Sequence, residues 1–394
     1  MLFTLRFALF VLLLIFTDNI TFAKAYKPQI KANAIVRIEK EWNLEGMTIP
    51  LPDGVILNFS KTGRITNGHL VGCNTQLKGS TENIFDNIKI SGTWNVPEIS
   101  SKMFTSLAYD NALRNVFALT NQKVNNKVFI APGAYTIVLN KSDNVGLEVL
   151  SNTDVELNGT IKLKGNDLRA YDIVRISGKN IKFIGTGSIL GDRNSHIDKG
   201  GEWGMGLNVD GSENVLIKGL TITDCWGDCI YVGNKSNNVT IDGCTLKRGR
   251  RQGISITSAG KVVVSNTNIC DVSGTLPEYA IDVEPNKNET VEKVIIKNLQ
   301  VSNCSGGIIC NGRAENSHIG IVDINGYEMT GPVTHYSFML RYLDKVYLQN
   351  CTTNIQGEKK IMIRFANYVY TKNIKVKGRN NPFNIYSCKN VVQK

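Results

Sequence analysis

The stretch Asn214-Val-Leu-Ile-Lys-Gly-Leu-Thr-Ile222 returns in the next part of the chain as Asn238-Val-Thr-Ile-Asp-Gly-Cys-Thr-Leu246. A third copy, Lys261-Val-Val-Val-Ser-Asn-Thr-Asn-Ile269, follows at nearly the same interval. A shorter apolar run lies between successive copies, and related copies begin further along and upstream at Asn180, Lys293, His318, Lys345 and Tyr368. Self-similarity at one nearly constant spacing is the signature of a repeat architecture.

Each copy alternates apolar and polar residues, which is typical of a β-strand with one buried face. Strands this short cannot close a core singly, but stacked coils bury a continuous column of Val, Ile and Leu side chains. At about 3.3 Å per residue, a repeat of about 24 residues accommodates three short strands and three turns. No copy shows the i, i+3, i+4 spacing of a helical repeat. The sequence therefore predicts an all-β protein in which residues 100–394 form a right-handed parallel β-helix.

The composition is that of a folded chain with a basic surface. The 394 residues are 42% hydrophobic and 20% charged, with 36 glycines, 9 prolines and a formal net charge of +11. These values argue against a disordered chain, an acidic tail and a charge-rich coiled coil. Four histidines and no Cys-x-x-Cys pair argue against a structural zinc site.

Residues 26–99 precede the β-helix and are expected to form a small β-rich module that lies along it.

Residues 1–25 have the pattern of an export signal. Arg6 precedes a short apolar run, and Ala23-Lys24-Ala25 offers small residues where a signal peptidase cleaves. The run is too short for a transmembrane helix, which needs about 20 residues. We therefore expect a monomer that is exported to the periplasm or the medium without membrane insertion. Outside the cytoplasm, a basic protein is expected to bind an anionic polysaccharide rather than nucleic acid.

The nine cysteines do not form an obvious disulfide framework. Their number is odd and several fall where a strand should point inward, so we interpret them mainly as small core residues. A single bridge, with Cys225 and Cys244 as one candidate pair, stays open because spacing alone does not decide it.

The repeat resembles that of the pectin-lyase-like superfamily of single-stranded right-handed β-helix proteins. Asp110-Asn-Ala-Leu113, followed by Val128-Phe-Ile-Ala-Pro-Gly-Ala-Tyr135, is similar to the helix and strand that cap many such folds. The superfamily contains polysaccharide lyases, glycoside hydrolases, epimerases and phage tailspikes, so the resemblance does not select one activity.

Alignment of the repeats predicts where a site could form. Tyr231, Ser255 and Asp282 fall at one outward position of successive coils, and Thr257 and Glu284 fall at another. Gln252 is placed one coil from Asp228, and Arg250 and Arg251 precede the strand that starts near Gly253. An insertion at residues 191–203 adds His196, Glu202 and Trp203 beside them. Long loops on a rigid scaffold are where function usually resides.

Four short motifs in this stretch resemble those of a subset of bacterial β-helix proteins. They are Gly201-Glu-Trp-Gly204, Trp226-Gly-Asp228, Arg250-Arg-Gln-Gly-Ile-Ser255 and Ile281-Asp-Val-Glu-Pro-Asn286. The similarity covers about a quarter of the chain. It implies a shared site rather than a known reaction.

A polysaccharide lyase is the first hypothesis. β-Elimination from a uronate needs a cation beside the carboxylate, a base for the C5 proton and an acid for the leaving oxygen. Arg251, Tyr231 or His196 are the candidates for base and acid, with Asp228 beside them, and Lys247 and Arg250 are the candidates for neutralising the carboxylate. The further candidates for substrate binding are Arg248, Gln252, Glu202, Trp203, Arg341 and Arg364. The expected substrate is a uronate-containing glycan, such as chondroitin sulfate or pectin.

Two alternatives and one metal site stay open. A hydrolase of the polygalacturonase type needs two carboxyl groups, for which Asp228 with Asp282 or Glu284 are candidates. The polygalacturonase pattern has Asp-Asp, His-Gly and Arg-Ile-Lys, whereas this chain has Gly227-Asp228 and Gln252-Gly253 and no Arg-Ile-Lys. The second alternative is a glycan-binding β-helix without catalysis. Asp282 and Glu284 are also candidate ligands of Ca²⁺, which takes oxygen ligands, or partners of Arg250 and Arg251.

Overall fold

A computed structural model describes residues 29–105, 112–356, 361–377 and 383–394. The predicted export signal and the first two residues of the predicted cap, Asp110 and Asn111, lie outside the described residues. The described chain is almost entirely strand, and the predicted parallel β-helix is confirmed.

Three parallel sheets form the sides of the β-helix. The first sheet contains the strands Val145–Leu150, Ala170–Ser177, Trp203–Asp210, Ile230–Gly233, Ile254–Ile256, Tyr279–Val283, Gly306–Asn311 and Phe383–Tyr386. The second sheet contains Glu98–Ser100, Asn126–Ile130, Thr153–Leu157, Lys179–Gly185, Glu213–Lys218, Asn237–Asp242, Ala259–Ser265 and Asn390–Gln393. The third sheet contains Ala134–Ile137, Thr160–Leu163, Ser188–Leu190, Thr221–Thr223, Thr245–Lys247 and Asn268–Cys270.

Towards the C-terminus the strands of one coil merge into long, bent strands. Thr290–Ser302 and His318–Pro332 pass through the second and third sheets, and Phe338–Gln356 and Ile361–Val376 pass through all three. The bends coincide with residues in the left-handed region, such as Asn298 at φ 51° and Asn373 at φ 53°. Asparagine tolerates this conformation, so one residue replaces a full turn.

The core contains a column of identical side chains. Seven valines of the second sheet pair in register from coil to coil, and each is at most 2% exposed: Val215, Val239, Val262, Val294, Val322, Val346 and Val369. Their polar neighbours in sequence point outward because successive residues of a strand face opposite sides. The period of the sequence repeat thus sets the register of the whole coil stack.

The N-terminal module is also built of parallel coils. A six-stranded sheet contains Ile35–Ile38, Glu41–Asn43, Thr48–Pro50, Ile56–Phe59, Arg64–Gly79 and Phe85–Trp94. Ile35 pairs with Ile56 and Trp42 pairs with Ile65, so the coils here are slightly shorter than those of the main β-helix. Phe85 bridges Phe104 in parallel, which links the module to the main β-helix. Its repeat escaped the sequence analysis because the copies share alternation but little sequence.

A short cap closes the interior between the module and the coils. It consists of the 3₁₀ turn Ser101–Met103 and the helix Ala112–Ala118. The Arg114 guanidinium donates to the Val138 carbonyl at 2.5 Å and to the Val145 carbonyl at 3.1 Å. The cap covers the open end of the apolar column, which would otherwise be exposed to water.

An asparagine ladder runs along one corner of the coils. Asn238 Nδ2 donates to Asn214 Oδ1 at 2.8 Å, and Asn214 donates to Asn180 at 3.2 Å. Asn214 and Asn238 have φ values of 58° and 52°.

Asn238→Ala is expected to lower the free energy of unfolding by about 1–2 kcal/mol, since alanine disfavours the left-handed conformation of Asn238 and lacks the amide of the ladder. Asn238→Gly keeps the backbone conformation but also lacks the amide, so its free energy of unfolding, measured by urea denaturation, should lie between those of the alanine variant and the native protein. Equal stability of all three proteins would contradict the role of Asn238 in the ladder.

The cysteines form no disulfide in the structure, and most of them are buried as expected for core residues. All nine are free thiols, including the candidate pair Cys225 and Cys244, and six are buried.

No helix in the described part of the chain is long and apolar enough to cross a membrane.

Candidate active site on the first sheet

The predicted alignment of coils is confirmed. Tyr231 pairs with Ser255, and Ser255 pairs with Asp282 on the next strand. The same column continues towards the N-terminus through Asn208 and Arg175. Ile230, Ile254 and Ile281 precede these residues and are fully buried, so the column faces outward. The first sheet therefore presents five polar side chains in a row.

A groove of about 490 Å³ lies over the N-terminal part of this row. Its lining consists of Asp143, Asn144, Ala170, Tyr171, Asp172, Arg175, Trp203, Met205, Asn208, Tyr231, Arg251, Thr257 and Asn286. Six successive coils thus contribute to one concave surface. Three of the predicted site residues, Trp203, Tyr231 and Arg251, meet in it.

Arg251 forms a buried ion pair with Asp228. Its Nη1 donates to Asp228 Oδ2 at 3.1 Å, and the two side chains are 17% and 0% exposed. Burial raises the pKa of Asp228, while the positive charge of Arg251 acts in the opposite direction. The pKa of Arg251 is raised by the carboxylates of Asp228, Asp282, Glu202 and Glu284, which outweigh its own burial. These carboxylates favour the charged form of Arg251, and its role as a base stays a prediction.

Asp282 is a second buried carboxylate in the same neighbourhood. Its Oδ2 accepts a hydrogen bond from Gln252 Nε2 at 3.0 Å, and the Gln252 side-chain oxygen accepts from the backbone amide of Tyr279 at 2.7 Å. Burial, with the nearby carboxylate of Glu284, raises the pKa of Asp282 well above its usual value. Oδ1 of both Asp228 and Asp282 and Oγ of Ser255 are buried without a hydrogen-bond partner. Gln252 thus holds Asp282 rather than facing the groove.

Tyr231 lines the groove. Its hydroxyl is 2.8 Å from Oγ1 of Thr257, which belongs to the next coil. Burial raises the pKa of Tyr231, and the hydrogen bond with Thr257 acts in the opposite direction. The hydroxyl is therefore protonated at neutral pH and can donate a proton to a bound group.

Asp172, Arg175 and Asn208 complete the floor of the groove, and the sequence analysis missed them. Arg175 Nε donates to Asp172 Oδ2 at 2.7 Å, and Asn208 Nδ2 lies 3.1 Å from both oxygens of Asp172. Burial raises the pKa of Asp172, and Arg175 acts against it. The insertion at 191–203 lies between Arg175 and its partner Asn208, so alignment at the regular period does not join them. An alignment that leaves out the inserted residues would have placed Arg175 and Asn208 in the column of Tyr231.

Of the predicted basic cluster of residues 247–251, Arg251 alone lines the groove. Arg248 pairs with the buried Asp224, with its Nε 2.7 Å from Asp224 Oδ1. Lys247 lies on the third sheet, in register with Thr223 and Cys270. Lys247 and Arg248 therefore lie away from the groove, because the chain turns a corner within this short segment. The expectation that Lys247 neutralises a substrate carboxylate beside Tyr231 is therefore wrong.

Arg250 supports the inserted loop instead of the groove floor. Its guanidinium lies 3.8 Å from the ring centroid of Trp226, and Nη1 donates to the Gly201 carbonyl at 3.0 Å. The expectation that Arg250 neutralises the carboxylate is thus wrong, since its planar group is occupied by the indole ring and a backbone carbonyl.

His196 is buried rather than exposed to substrate. Its side chain is 0% exposed, with Nδ1 2.8 Å from Asp192 Oδ2. The imidazole stacks on Trp226 at 4.0 Å between centroids, and the hydroxyl of Tyr171 also donates to Asp192. His196 therefore anchors the inserted loop, and its predicted role as catalytic acid or base is wrong.

The end of the same loop reaches the groove. Trp203 is 49% exposed and begins the strand that carries Asn208. Glu202 Oε2 lies 3.9 Å from Arg251 Nε, which is too long for a hydrogen bond but close enough for attraction. An exposed indole at the edge of a polar groove is suited to stack on a sugar ring.

The candidate calcium site does not assemble around Asp282 and Glu284. Asp282 accepts from Gln252, and Glu284 Oε1 accepts from Asn311 Nδ2 at 2.7 Å. Among the described residues, no three His, Cys, Asp or Glu side chains converge as metal ligands would. Calcium needs six to eight oxygens, so two carboxylates with other partners do not fit it.

Arg341 and Arg364 lie farther along the first sheet. Arg341 pairs with Asn311, and Arg364 pairs with Arg341. They extend the second outward column, the one that contains Thr257 and Glu284, and do not line the groove described above.

A larger cleft of about 930 Å³ lies between the N-terminal module and the second sheet. Its wall contains the asparagine ladder and the ion pair of Lys182 with Asp154, 2.7 Å apart. These polar groups bond to one another. We therefore place the chemistry in the smaller groove, which is lined by the buried ion pairs of Arg175 and Arg251.

Comparison with known proteins supports the architecture. Residues 153–320 match the family model described as "Right handed beta helix region". The chain contains a right-handed β-helix region. The match confirms the predicted hand of the coil for these residues.

Two relatives from Bacillus subtilis (strain 168) align with part of the chain. They are the SPbeta prophage-derived uncharacterized protein YorA, 32% identical over 162 residues, and the uncharacterized protein YclG, 31% identical over 162 residues. The alignments cover 35% and 36% of this chain and 28% of each relative. The chain thus matches only a little over a quarter of the length of either protein.

Solved structures with a similar coil path have very different sequences. A Yersinia enterocolitica family 28 exopolygalacturonase is 11% identical, with a TM-score of 0.48, covering 77% of this chain and 79% of its own. PfbA, a surface adhesin of Streptococcus pneumoniae, is 11% identical, with a TM-score of 0.46, covering 91% and 85%. At these values the likeness carries no argument about activity.

Proposed function

We propose that the chain is an exported polysaccharide lyase that cleaves a uronate-containing polymer by β-elimination in the groove of the first sheet. The observation that carries the proposal is the distribution of charge around the groove. Tyr231, Arg251 and Arg175 line it, while Asp228 and Asp282 are 0% and 2% exposed behind them. The cations and the phenol can meet a substrate, and the carboxylate of Asp228 holds Arg251 in place.

The two arginines suit a uronate carboxylate. Each has a carboxylate partner that fixes its position, Asp172 for Arg175 and Asp228 for Arg251. An arginine that is already oriented loses little further freedom when it binds an anion. Together with the amide of Asn208, they would stabilise the negative charge that grows on the carboxylate as the C5 proton leaves.

Tyr231 is the group that we assign to proton transfer. In its ionised form it accepts the C5 proton, and the electron pair of that C–H bond forms the C4–C5 double bond. The bond from C4 to the leaving oxygen breaks, and Tyr231 returns the proton to that oxygen. The products are a chain with a new non-reducing unsaturated uronate and a chain with a free hydroxyl, so atoms and charges balance. One residue serves as base and acid when both groups lie on the same side of the sugar.

A hydrolase that uses Asp228 and Asp282 is less compatible with this geometry. A general acid must reach the glycosidic oxygen, and a general base must reach a water on the opposite face of the sugar. Asp228 is fully buried and paired with Arg251, and Asp282 is held by Gln252. Of the carboxylates that line the groove, Asp172 is bonded to Arg175 and Asn208, and Asp143 accepts from the Val145 amide.

A panel of polymers tests the reaction class. The protein is incubated with chondroitin sulfate, pectin and a neutral glucan, and ultraviolet absorbance and reducing ends are followed together. The lyase is expected to generate both signals in equal amounts from a uronate polymer, because each cleavage creates one conjugated double bond and one new end. Reducing ends without absorbance would select the hydrolase, and binding without either signal would select a non-catalytic β-helix.

A further inference from the structure

Arg341 and Arg364 form a pair of cations on the outer face of the first sheet. They are in register on adjacent strands, and the residues before them, Leu340 and Ile363, are fully buried. Both guanidinium groups therefore project outward, about one strand spacing of 4.8 Å apart at their Cα atoms. The guanidinium of Arg364 lies 3.8 Å from the ring centroid of Tyr386, the next residue in the column.

Among the described residues this pair has no counter-ion, unlike Arg175 and Arg251. Arg175 and Arg251 each face a carboxylate. Neither Arg341 nor Arg364 has an ion pair or hydrogen bond to any other part of the chain that the structure describes, and the Nε of each is buried without a partner. Two like charges on neighbouring strands repel each other, and buried donors without acceptors are costly. An anion placed between them would relieve both.

The next residue of the column is also incompletely bonded. Asn311 pairs with Arg341, and its Nδ2 donates to Glu284 while its Oδ1 is buried without a partner. Asn311 therefore separates the negative Glu284 from the two arginines by one strand. The column passes from an acidic end to a basic end that is open to a ligand.

We propose that Arg341 and Arg364 form a subsite for an oxyanion substituent of the substrate, a sulfate ester or a carboxylate. Arginine presents parallel N–H donors that match such groups in a bidentate manner. The proposal deepens the proposed function and rests on it, since it assigns the second anchoring point of the same polymer. It specifies a polymer that carries anionic groups on several sugars rather than at the cleaved unit alone.

The spacing fits a polymer that lies along the sheet. Arg251 lies three residues before Ile254, the first residue of the strand Ile254–Ile256, and the strand of Arg341 lies three coils farther on. Three strand spacings amount to about 14 Å, so the subsite lies beyond the reach of the sugar being cleaved. A chain bound from Trp203 to Arg364 would therefore engage the protein through several units.

The test is the affinity of the double variant Arg341→Gln/Arg364→Gln for chondroitin sulfate, for the same polymer after chemical desulfation, and for a neutral glucan. Calorimetric titration is expected to show about a tenfold or greater loss of affinity for an anionic polymer, since charge-assisted hydrogen bonds are lost. The affinity should also depend less steeply on salt. A loss confined to the sulfated chain identifies sulfate as the ligand, and an equal loss for the desulfated chain identifies the carboxylate.

The control is Lys261→Gln/Lys345→Gln, which removes the same charge from exposed positions of the second sheet. It is expected to change the affinity less than twofold, because long-range attraction is screened at physiological salt, for which the Debye length is about 8 Å. The subsite would be overturned by an equal loss of affinity in both double variants, or by no loss of affinity in the arginine variant. It would also be overturned if the native protein bound neither anionic polymer.

The subsite and the lyase can fail separately. Tenfold weaker binding without any double-bond product from the native protein would support the subsite and refute elimination. Full elimination by the arginine variant at the native affinity would support the lyase and refute the subsite. Arg341→Lys/Arg364→Lys keeps the charge without the planar fork, and intermediate affinity is expected for it.

Discussion

Tyr231→Phe is expected to lower the turnover number for the uronate polymer by about a hundredfold to ten-thousandfold, the usual contribution of a positioned acid or base. The substitution removes the hydroxyl that lies 2.8 Å from Thr257 and leaves the ring in place. Substrate affinity and thermal stability should change little, because Arg175, Arg251 and Trp203 still line the groove. Initial rates measured by ultraviolet absorbance, with affinity measured separately, provide the readout.

A tyrosine on another face of the β-helix provides the matched control. Tyr347→Phe alters a half-buried tyrosine on the second sheet, which packs against Tyr368 and Tyr370. It should retain the native rate. A Tyr231→Phe variant with more than half of the native turnover number would show that this hydroxyl transfers no proton.

The pH dependence of the proposed elimination by the native protein follows from the same group. Burial raises the pKa of Tyr231, so only a minor fraction is ionised at neutral pH. Because the base must be ionised, the rate at low substrate concentration should increase as the pH rises from neutral into the alkaline range. A rate that falls over that interval would assign the base to another residue.

Arg251→Met is expected to lower the free energy of unfolding by about 3 kcal/mol, because it leaves the carboxylate of Asp228 buried without its counter-charge. Asp228 is fully buried, and its only ion pair among the described residues is the one with Arg251. The variant should also lose most of its affinity for a uronate polymer. Urea denaturation at pH 7 measures the loss of stability.

The double variant Arg251→Met/Asp228→Asn separates charge from packing. Removing both charges should recover much of the stability, since an amide is less costly to bury than an unpaired carboxylate. If the double variant is less stable than Arg251→Met, the ion pair is not the source of the effect.

The stability defect of Arg251→Met should also diminish at acidic pH. Burial already raises the pKa of Asp228 in the folded protein, and loss of Arg251 removes the main influence that lowers it. A carboxyl group whose folded pKa is above its unfolded value binds more protons in the folded state, so its contribution to stability decreases as pH rises. The difference between native protein and variant should therefore be largest at neutral pH and shrink on acidification.

The register of the coils could be predicted because it follows from the constant period of the repeat and from the alternation of inward and outward residues. Tyr231, Ser255 and Asp282 share an outward column for this reason, and the pairing of Gln252 with the coil of Asp228 has the same origin. These relations depend on backbone geometry, which every coil repeats. For predicting the register, the only side-chain property needed is whether a residue is apolar and faces inward or polar and faces outward.

The roles of the charged residues could not be predicted in the same way. Lys247, Arg248 and Arg250 adjoin Arg251 in sequence, but the turn between the third and first sheets directs them to different partners. His196 lies in a long loop, yet Asp192 and Trp226 bury it. Arg175 and Asn208 were overlooked because the insertion breaks the period. Partners at a corner depend on three-dimensional packing, which a one-dimensional repeat does not encode.

The most direct test of the account is a crystal structure of the Tyr231→Phe variant with a uronate oligosaccharide bound. We predict that the sugar lies in the groove of the first sheet, with its carboxylate on Arg175 and Arg251 and its scissile oxygen near the ring of residue 231. An oligosaccharide bound instead in the larger cleft beside the N-terminal module, with the first-sheet groove empty, would contradict the account.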